Sequence, residues 1–186
     1  MRKLFLLFCL AASSASSAKV SESLGYTHYE AKAAPGLSLA AILNQSSPYR
    51  PDGQVFHSST SWNVDWKFQQ SARRNGRCRI VGVATHLTGT IDLPRLIGAE
   101  ARMAEQFEDY LAALRFHELG HYAIGKQAAV AVDSRLRSLP EMADCRALES
   151  AARTLGARIL QEYEAKGLEY DAKTGHGKTQ GAWLGP

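Results

Sequence analysis

The chain has 186 residues, of which 45% are hydrophobic and 22% are charged, a balance typical of a globular protein. This composition excludes a collagen-like chain, a coiled-coil rod, a disordered tail and a protein with several membrane spans, and the length suits one domain. The formal charge is +4, but without Arg2 and Lys3, which belong to a leader, 20 of the 22 basic residues remain against 18 acidic ones. So small an excess gives no argument for a nucleic acid or an anionic membrane as a partner.

Residues 1–18 have the layout of a secretory signal peptide. A basic start over residues 1–3 is followed by an apolar run over 4–12 and by small residues that end at Ala18. The apolar run is about nine residues long, too short for a membrane-spanning helix, which needs roughly 20. We therefore expect cleavage after Ala18, export to the periplasm or out of the cell, and a single domain over residues 19–186.

The mature chain keeps two cysteines, Cys78 and Cys145. An even pair in an oxidising compartment predicts one disulfide bond. The alternative is a pair of thiolate metal ligands, which the absence of a CxxC spacing disfavours.

The first half of the mature chain is predicted to form short elements: a strand over 26–30, a helix over 37–44, a strand within 55–68, and one long or two short strands over 77–92. Apolar residues alternate through Trp62, Val64 and Trp66, which is the period of a half-buried strand. Pro94 is expected to end the last of these strands. The two tryptophans could line a substrate groove, but in this pattern they are more often core residues.

The second half is predicted to be helical. Apolar residues recur at steps of three and four, and there is no proline between Pro94 and Pro140, which predicts one long helix or two abutting ones over about 99–137. A second helix is expected over 141–166, ended by Gly167, and a loop over 170–186. The predicted fold is α+β and zincin-like, with a small twisted sheet packed against both helices.

The chemistry is concentrated in His117-Glu118-Leu119-Gly120-His121, an H-E-x-x-H motif inside the first long helix. Histidines at i and i+4 lie one above the other on a helix, so both imidazoles can bind one metal ion. Zn²⁺ fits best, and Glu118 is placed to act as general base toward a metal-activated water. The alternative without a metal is a pair of structural histidines on an amphipathic helix. Two imidazoles on the apolar face of a helix need polar partners, however, and a shared metal ion would supply one.

A zinc site of this kind needs a third protein ligand. The preferred candidate is His176, because the glycines on either side of it allow the backbone to approach the helix, with Asp171 or Thr174 orienting its ring. The alternatives are glutamates on the second helix: Glu149, Glu162 and Glu164.

Several motifs occur together in a fixed order: the signal peptide, the strand with Trp62 and Trp66, the strand from Cys78 to Asp92-Leu93-Pro94, the H-E-L-G-H helix, Cys145, and Tyr170-Asp171 followed by Thr174-Gly175-His176-Gly177. In this order they resemble a bacterial family of predicted secreted zinc-dependent proteases, long catalogued as a domain of unknown function. The resemblance covers about residues 26–181, and the T-G-H-G element is its most specific part. It implies a zinc-dependent protease activity.

Two functions remain open at this point. The leading one is an exported zinc metallopeptidase that hydrolyses peptide bonds of a peptide or protein, with zinc held by His117, His121 and His176. The alternative is a non-catalytic exported binding module with a structural metal or none. Tyr170 or Tyr122 could donate a hydrogen bond to an oxyanion, although rim or core roles are more common for tyrosines. The remaining mature-chain histidines are interpreted as non-ligands: His28, His57 and His86.

Overall fold

The computed structural model describes residues 20–185, so the predicted signal peptide lies outside the described residues. Within this range the chain forms three strands and three α-helices: β1 (Val20–Lys32), α1 (Leu39–Ser46), β2 (Ser59–Ala72), β3 (Cys78–Ile97), α2 (Ala101–Arg137) and α3 (Cys145–Thr174). Strand β3 lies in the centre of the sheet, parallel to β1 and antiparallel to β2. The α+β class with a small sheet is thus confirmed. No helix between residues 20 and 185 is both long enough and apolar enough to cross a membrane.

The central strand is one long strand rather than two, and the prediction that Pro94 ends it was wrong, because β3 continues to Ile97. Strand β2 begins at Ser59, which lies opposite Asp92, so the β2-facing edge of β3 has no ladder partner beyond that point. A proline lacks the N–H that a ladder needs and is tolerated where a strand edge is unpaired. Strand β1 follows the extension of β3 to its last residue and is correspondingly longer than predicted.

Helix α2 is one continuous helix, which decides between the two alternatives predicted for residues 99–137, whereas α3 differs from its prediction at both ends. It starts later, after Asp144, whose side chain caps it by accepting a hydrogen bond from the amide of Ala147. It also continues through Gly167 and ends at Gly175, which has a left-handed φ of 57°. The predicted loop over 170–186 is therefore wrong for residues 170–174, which form the last turn of α3.

Two clusters of buried apolar residues lie on either side of the motif turn of α2. The first cluster joins α1 and the end of β3 to the first half of α2, and includes Leu43, Leu93, Tyr110 and Leu114. The second cluster joins the sheet and α3 to the second half of α2, and includes Leu87, Val132, Leu136 and Ile159. The H-E-x-x-H turn therefore lies where the two cores meet.

The tryptophans of β2 pack against glycines on the two long helices. A Cβ atom at Gly125 of α2 would lie 2.8 Å from Cγ of Trp62, and one at Gly156 of α3 would overlap the ring of Trp66. Both indoles pack against the second core cluster. Their interpretation as core residues, rather than a substrate groove, is confirmed.

The predicted disulfide is present between Cys78 and Cys145, with an S–S distance of 2.00 Å. It joins the first residue of β3 to the first residue of α3. Cys78 also exchanges backbone hydrogen bonds with Met142, so the start of α3 is held to the sheet by both covalent and polar contacts.

Candidate metal centre and active site

Three side chains from the two long helices converge on one point. Nε2 of His121 lies 3.3 Å from Nε2 of His117, and Oδ1 of Asp171 lies 2.9 Å and 3.1 Å from these two nitrogens respectively. Among the described residues, His117, His121 and Asp171 are the group of three whose donor atoms could hold a metal ion. The predicted pairing of the two motif histidines is therefore present, and a carboxylate lies beside them.

The donor atoms have the chemistry of a zinc site and lie somewhat closer together than ligands of a bound ion. Zinc bonds to nitrogen and oxygen are about 2.0–2.2 Å long, which places tetrahedral ligand atoms roughly 3.3–3.6 Å from one another. The observed separations are 2.9–3.3 Å, which are also hydrogen-bond distances. Imidazole nitrogen and carboxylate oxygen are both ligands that zinc prefers. The donor set therefore fits zinc in its chemistry, and the three atoms would move apart by a few tenths of an ångström to hold the ion.

The electrostatics of the group also favour a cation between its members. Burial alone would lower the pKa of His117, but its hydrogen bonds to Asp171 and Gln180 outweigh burial and raise it. Burial would raise the pKa of Asp171, but the hydrogen bonds from His117 and His121 lower it well below its usual range. Asp171 is thus an anion, and a proton on the histidine rings or a metal ion between the three side chains would balance its charge.

Gln180 fixes which nitrogen of His117 faces the centre. Its Oε1 lies 2.9 Å from Nδ1 of His117, and its Nε2 donates to the hydroxyl of Tyr170 at 2.9 Å. Because Nδ1–H donates to this amide oxygen, Nε2 is the nitrogen directed at His121 and Asp171, and it would offer its lone pair to a metal ion that replaced its proton. The C-terminal segment reaches this position through Gly177, where a Cβ atom would approach Cγ of His117 to 3.1 Å.

Tyr170 packs on the two histidines rather than lining the cleft. Its ring stacks on His117 with centroids 5.0 Å apart and meets His121 edge-on at the same distance. Its hydroxyl donates to the backbone oxygen of His117 at 3.2 Å. Tyr122 lies elsewhere, donating to Glu22 at 3.1 Å. Neither tyrosine lines the cleft, so the predicted oxyanion role gains no support from either position.

The carboxylate of Glu118 is buried and held by two hydroxyl groups from the start of β2. Ser58 donates to Oε1 and Thr60 donates to Oε2, each at 2.6 Å, and Glu118 is only 4% exposed. The hydroxyl oxygen of Thr60 also lies 3.1 Å from the backbone oxygen of Glu118. The sheet thus orients the residue that the motif predicts as the general base.

His176 lies next to the centre but outside the group of three. Its Nδ1 is 3.6 Å from Oδ1 of Asp171, its side chain is 49% exposed, and its ring packs on Phe56 with centroids 4.8 Å apart. The alternative ligands on α3 are not members of the group: Glu149 pairs with Arg153 and Glu162 pairs with Lys166. Glu164 is exposed on the same helix. His28, His57 and His86 also lie outside the group.

A cleft of about 780 Å³ surrounds the centre. Its lining includes His117, Glu118, His121 and Asp171, so the donor group and the buried carboxylate share one solvent-accessible space. One wall is formed by residues 49–57 and another by residues 182–185. The arrangement can bring a bound molecule next to both a metal ion and a proton acceptor.

Sequence reasoning placed Asp171 beside the site but gave it the task of orienting His176, and it missed Ser58, Thr60 and Gln180. The sequence did contain a signal that could have placed Asp171 on a helix. Gly175, four residues later, is the glycine that ends α3, so Asp171 lies within the last turn of that helix. The two hydroxyl residues and the glutamine have no spacing that distinguishes them in the sequence, and only the packing of β2 and of the C-terminal turn Lys178–Gln180 identifies them.

Comparison with known proteins gives one match. The profile of a family described as "Bacterial protein of unknown function (DUF922)" matches residues 26–177. No curated protein and no solved structure matches the chain. The matched region runs from β1 to the glycine after His176 and contains the donor group, Glu118 and both disulfide cysteines, so the chain belongs to the DUF922 family of bacterial proteins.

Proposed function

We propose that this protein is an exported zinc-dependent metallopeptidase that hydrolyses peptide bonds in peptides or proteins. The observation that carries the proposal is the convergence of His117, His121 and Asp171 within 3.3 Å, in a cleft whose lining also includes Glu118. The disulfide supports export, because such bonds persist in oxidising compartments.

His117, His121 and Asp171 would hold the zinc ion, with Gln180 and Tyr170 orienting the first histidine. When bound, zinc would supply a Lewis acid that polarises the peptide carbonyl and lowers the pKa of a water molecule to about 7. His176 was predicted as the third ligand from the sequence, and its position 3.6 Å from Asp171 keeps it as the competing candidate.

Glu118 would accept a proton from the attacking water and pass it to the leaving amine. Ser58 and Thr60 position it for this task by donating to one oxygen each. Each carboxylate oxygen has two lone pairs, so one on each remains for a substrate water. The hydroxyls therefore restrict the rotation of the carboxylate without consuming its capacity to accept a proton.

A second candidate is a non-catalytic binding module with a closed metal site. Structural zinc sites have four protein ligands, whereas catalytic sites leave one position open. The nearness of His176 to Asp171 favours this candidate, because His176 could complete a closed set with the other three residues.

Bound zinc and cleavage of a mixed library of unstructured peptides, followed by mass spectrometry, separate the two candidates. Glu118→Gln is expected to keep zinc and to lose cleavage by about 10²- to 10⁴-fold. Glu164→Gln is the matched control, since it makes the same chemical change at an exposed position of α3. Equal cleavage by the wild type and Glu118→Gln would contradict the peptidase proposal.

The third ligand is identified by zinc affinity, which does not depend on activity. Asp171→Asn is expected to weaken zinc binding by at least about 100-fold, and His176→Asn by less than about tenfold, because removing a ligand costs more than removing a neighbour. The opposite order would assign the third position to His176. A large loss in both variants would favour the closed site.

A further inference from the structure

The cleft does not end at the metal centre but continues along α2 toward the start of that helix. Leu114 and Tyr110 line it together with His117, one and two turns before that histidine. A helix rises about 1.5 Å per residue, so this part of the cleft extends roughly 10 Å beyond His117. An extended chain advances about 3.3 Å per residue, so the space corresponds to about three residues of a bound peptide.

The walls of this part of the cleft are mostly apolar. We call it the apolar arm and define it by seven lining residues: Ala40, Asn44, His57, Tyr110, Leu114, Ala182 and Leu184. Ala182 and Leu184 belong to the same apolar cluster as Leu114, which places the C-terminal segment against this side of α2. A bound side chain would therefore be enclosed by α1, α2 and the C-terminal segment.

The polar groups of the arm are occupied by one another. Nδ1 of His57 lies 2.7 Å from the hydroxyl of Tyr110, and its Nε2 lies 2.9 Å from Oδ1 of Asn44. Burial lowers the pKa of His57 to about 4, so the ring is neutral at physiological pH. None of the seven arm residues then carries a charge, and both ring nitrogens of the histidine are already used.

The charged residues that line the cleft are not among the seven arm residues. Glu118 and Asp171 are at the candidate metal centre, while Asp52 and Lys178 are exposed. The guanidinium of Arg50, which does not line the cleft, donates to the backbone oxygen of Asn44. A charged substrate side chain placed in the arm would lose its water and find no opposite charge among the seven arm residues, which is costly.

We propose, on the basis of the proposed peptidase function, that the apolar arm binds an uncharged apolar side chain beside the bond to be cleaved. The substrates are then peptides with a leucine- or phenylalanine-like residue next to that bond. Discrimination by such a pocket depends on side-chain size, because each methylene buried there is worth about tenfold or more in specificity.

The test measures binding separately from cleavage. Dye-labelled eight-residue peptides, identical except for Ala, Leu, Phe, Lys or Glu at one central position, are titrated into zinc-loaded Glu118→Gln protein and followed by fluorescence anisotropy. The Leu and Phe peptides are expected to bind at least about tenfold more tightly than the Ala, Lys and Glu peptides. The wild type is then expected to cleave the Leu and Phe peptides next to the varied residue.

Two substitutions on α1, each with a control at the next residue, test whether the preference comes from the arm. All four variants are made in the Glu118→Gln background. Ala40→Phe would fill the arm and is expected to reduce the preference for Leu over Ala to below about twofold, whereas Ala41→Phe, outside the cleft lining, is expected to preserve it.

Asn44→Asp would add a charge beside His57 and is expected to weaken Leu-peptide binding several-fold, whereas Gln45→Glu on the neighbouring residue is expected to have no effect.

The outcomes separate this proposal from the function on which it rests. A binding preference without any cleavage would support the arm and contradict the peptidase. Cleavage without a preference, or a preference that both Ala40→Phe and Asn44→Asp leave unchanged, would overturn the arm and support the peptidase. Should Ala40→Phe lose its fold, judged by circular dichroism and zinc content, Asn44→Asp decides alone.

Discussion

Gly120, a variable position of the H-E-x-x-H motif, shows how one residue shapes the centre. A Cβ atom there would overlap the hydroxyl of Tyr170, whose ring packs on both motif histidines. The missing side chain thus allows α3 to approach α2 closely enough for Asp171, the residue after Tyr170, to reach the two imidazoles. The glycine is needed for packing even though it touches no metal.

Replacing this glycine should have the opposite effect from replacing a glycine that has room for a methyl group. Gly120→Ala is expected to lower the free energy of unfolding by about 1–3 kcal/mol, because the new methyl group must displace Tyr170. Gly167→Ala, in the interior of α3, is expected to raise it by about 0.4–1 kcal/mol, because its Cβ would lie 3.8 Å from Nδ1 of His121, an ordinary contact. Urea unfolding measures both, and equal stabilisation by the two substitutions would contradict the close packing of Tyr170.

At the scale of elements, the sequence predicts where a helix forms better than it predicts which other elements that helix contacts. Helix α2 was predictable because its apolar residues recur at helical steps without an interrupting proline. The end of α3 was not, because Gly167 has the character of a stop signal while the left-handed residue is Gly175. A local pattern does not report that the two extra turns are stabilised by packing on a helix distant in sequence.

The predicted end of α3 explains why His176 was preferred as the third ligand. With 170–186 taken as a loop, His176 between glycines was the residue most able to reach the helix. The two additional turns of α3 place Asp171 against His117 and His121, and a regular helix holds it there more firmly than a loop would. The contacts of Ser58 and Thr60 with Glu118 depend on how β2 packs on α2, so they also lay beyond the reach of local patterns.

The disulfide between β3 and α3 should stabilise the fold mainly by lowering the conformational entropy of the unfolded chain. Its cysteines are 67 residues apart, and closing a loop of that length is worth about 4 kcal/mol in the chain-entropy model. The double substitution Cys78→Ala and Cys145→Ala is expected to lower the free energy of unfolding by about that amount in urea. Glu141→Gln is the control at the same end, since it removes two ion pairs with Arg73 and Arg77 and is expected to cost under about 1 kcal/mol. A double variant no less stable than this control would contradict the prediction.

At the scale of the whole molecule, the candidate metal centre lies between the two long helices and the two apolar clusters. Helix α2 carries one apolar cluster on each side of the motif turn, α3 supplies Asp171, and the C-terminal turn supplies Gln180. A ligand that binds only this folded arrangement stabilises the whole fold by mass action rather than a local segment. Zinc binding should therefore be visible in global unfolding even before any activity is known.

Zinc at 100 times its dissociation constant is expected to stabilise the protein by about 2.7 kcal/mol. For a chain of this length, that corresponds to a rise in Tm of roughly 5–11 °C in differential scanning calorimetry, reversed by a chelator. Glu118→Gln should keep the full shift, because this residue contacts Ser58 and Thr60 and is not a member of the donor group. His117→Asn should lose it, because Asn cannot place a nitrogen where Nε2 lies beside His121 and Asp171. A Tm that zinc leaves unchanged in the wild type, or raises equally in His117→Asn, would show that the three side chains are not a metal site.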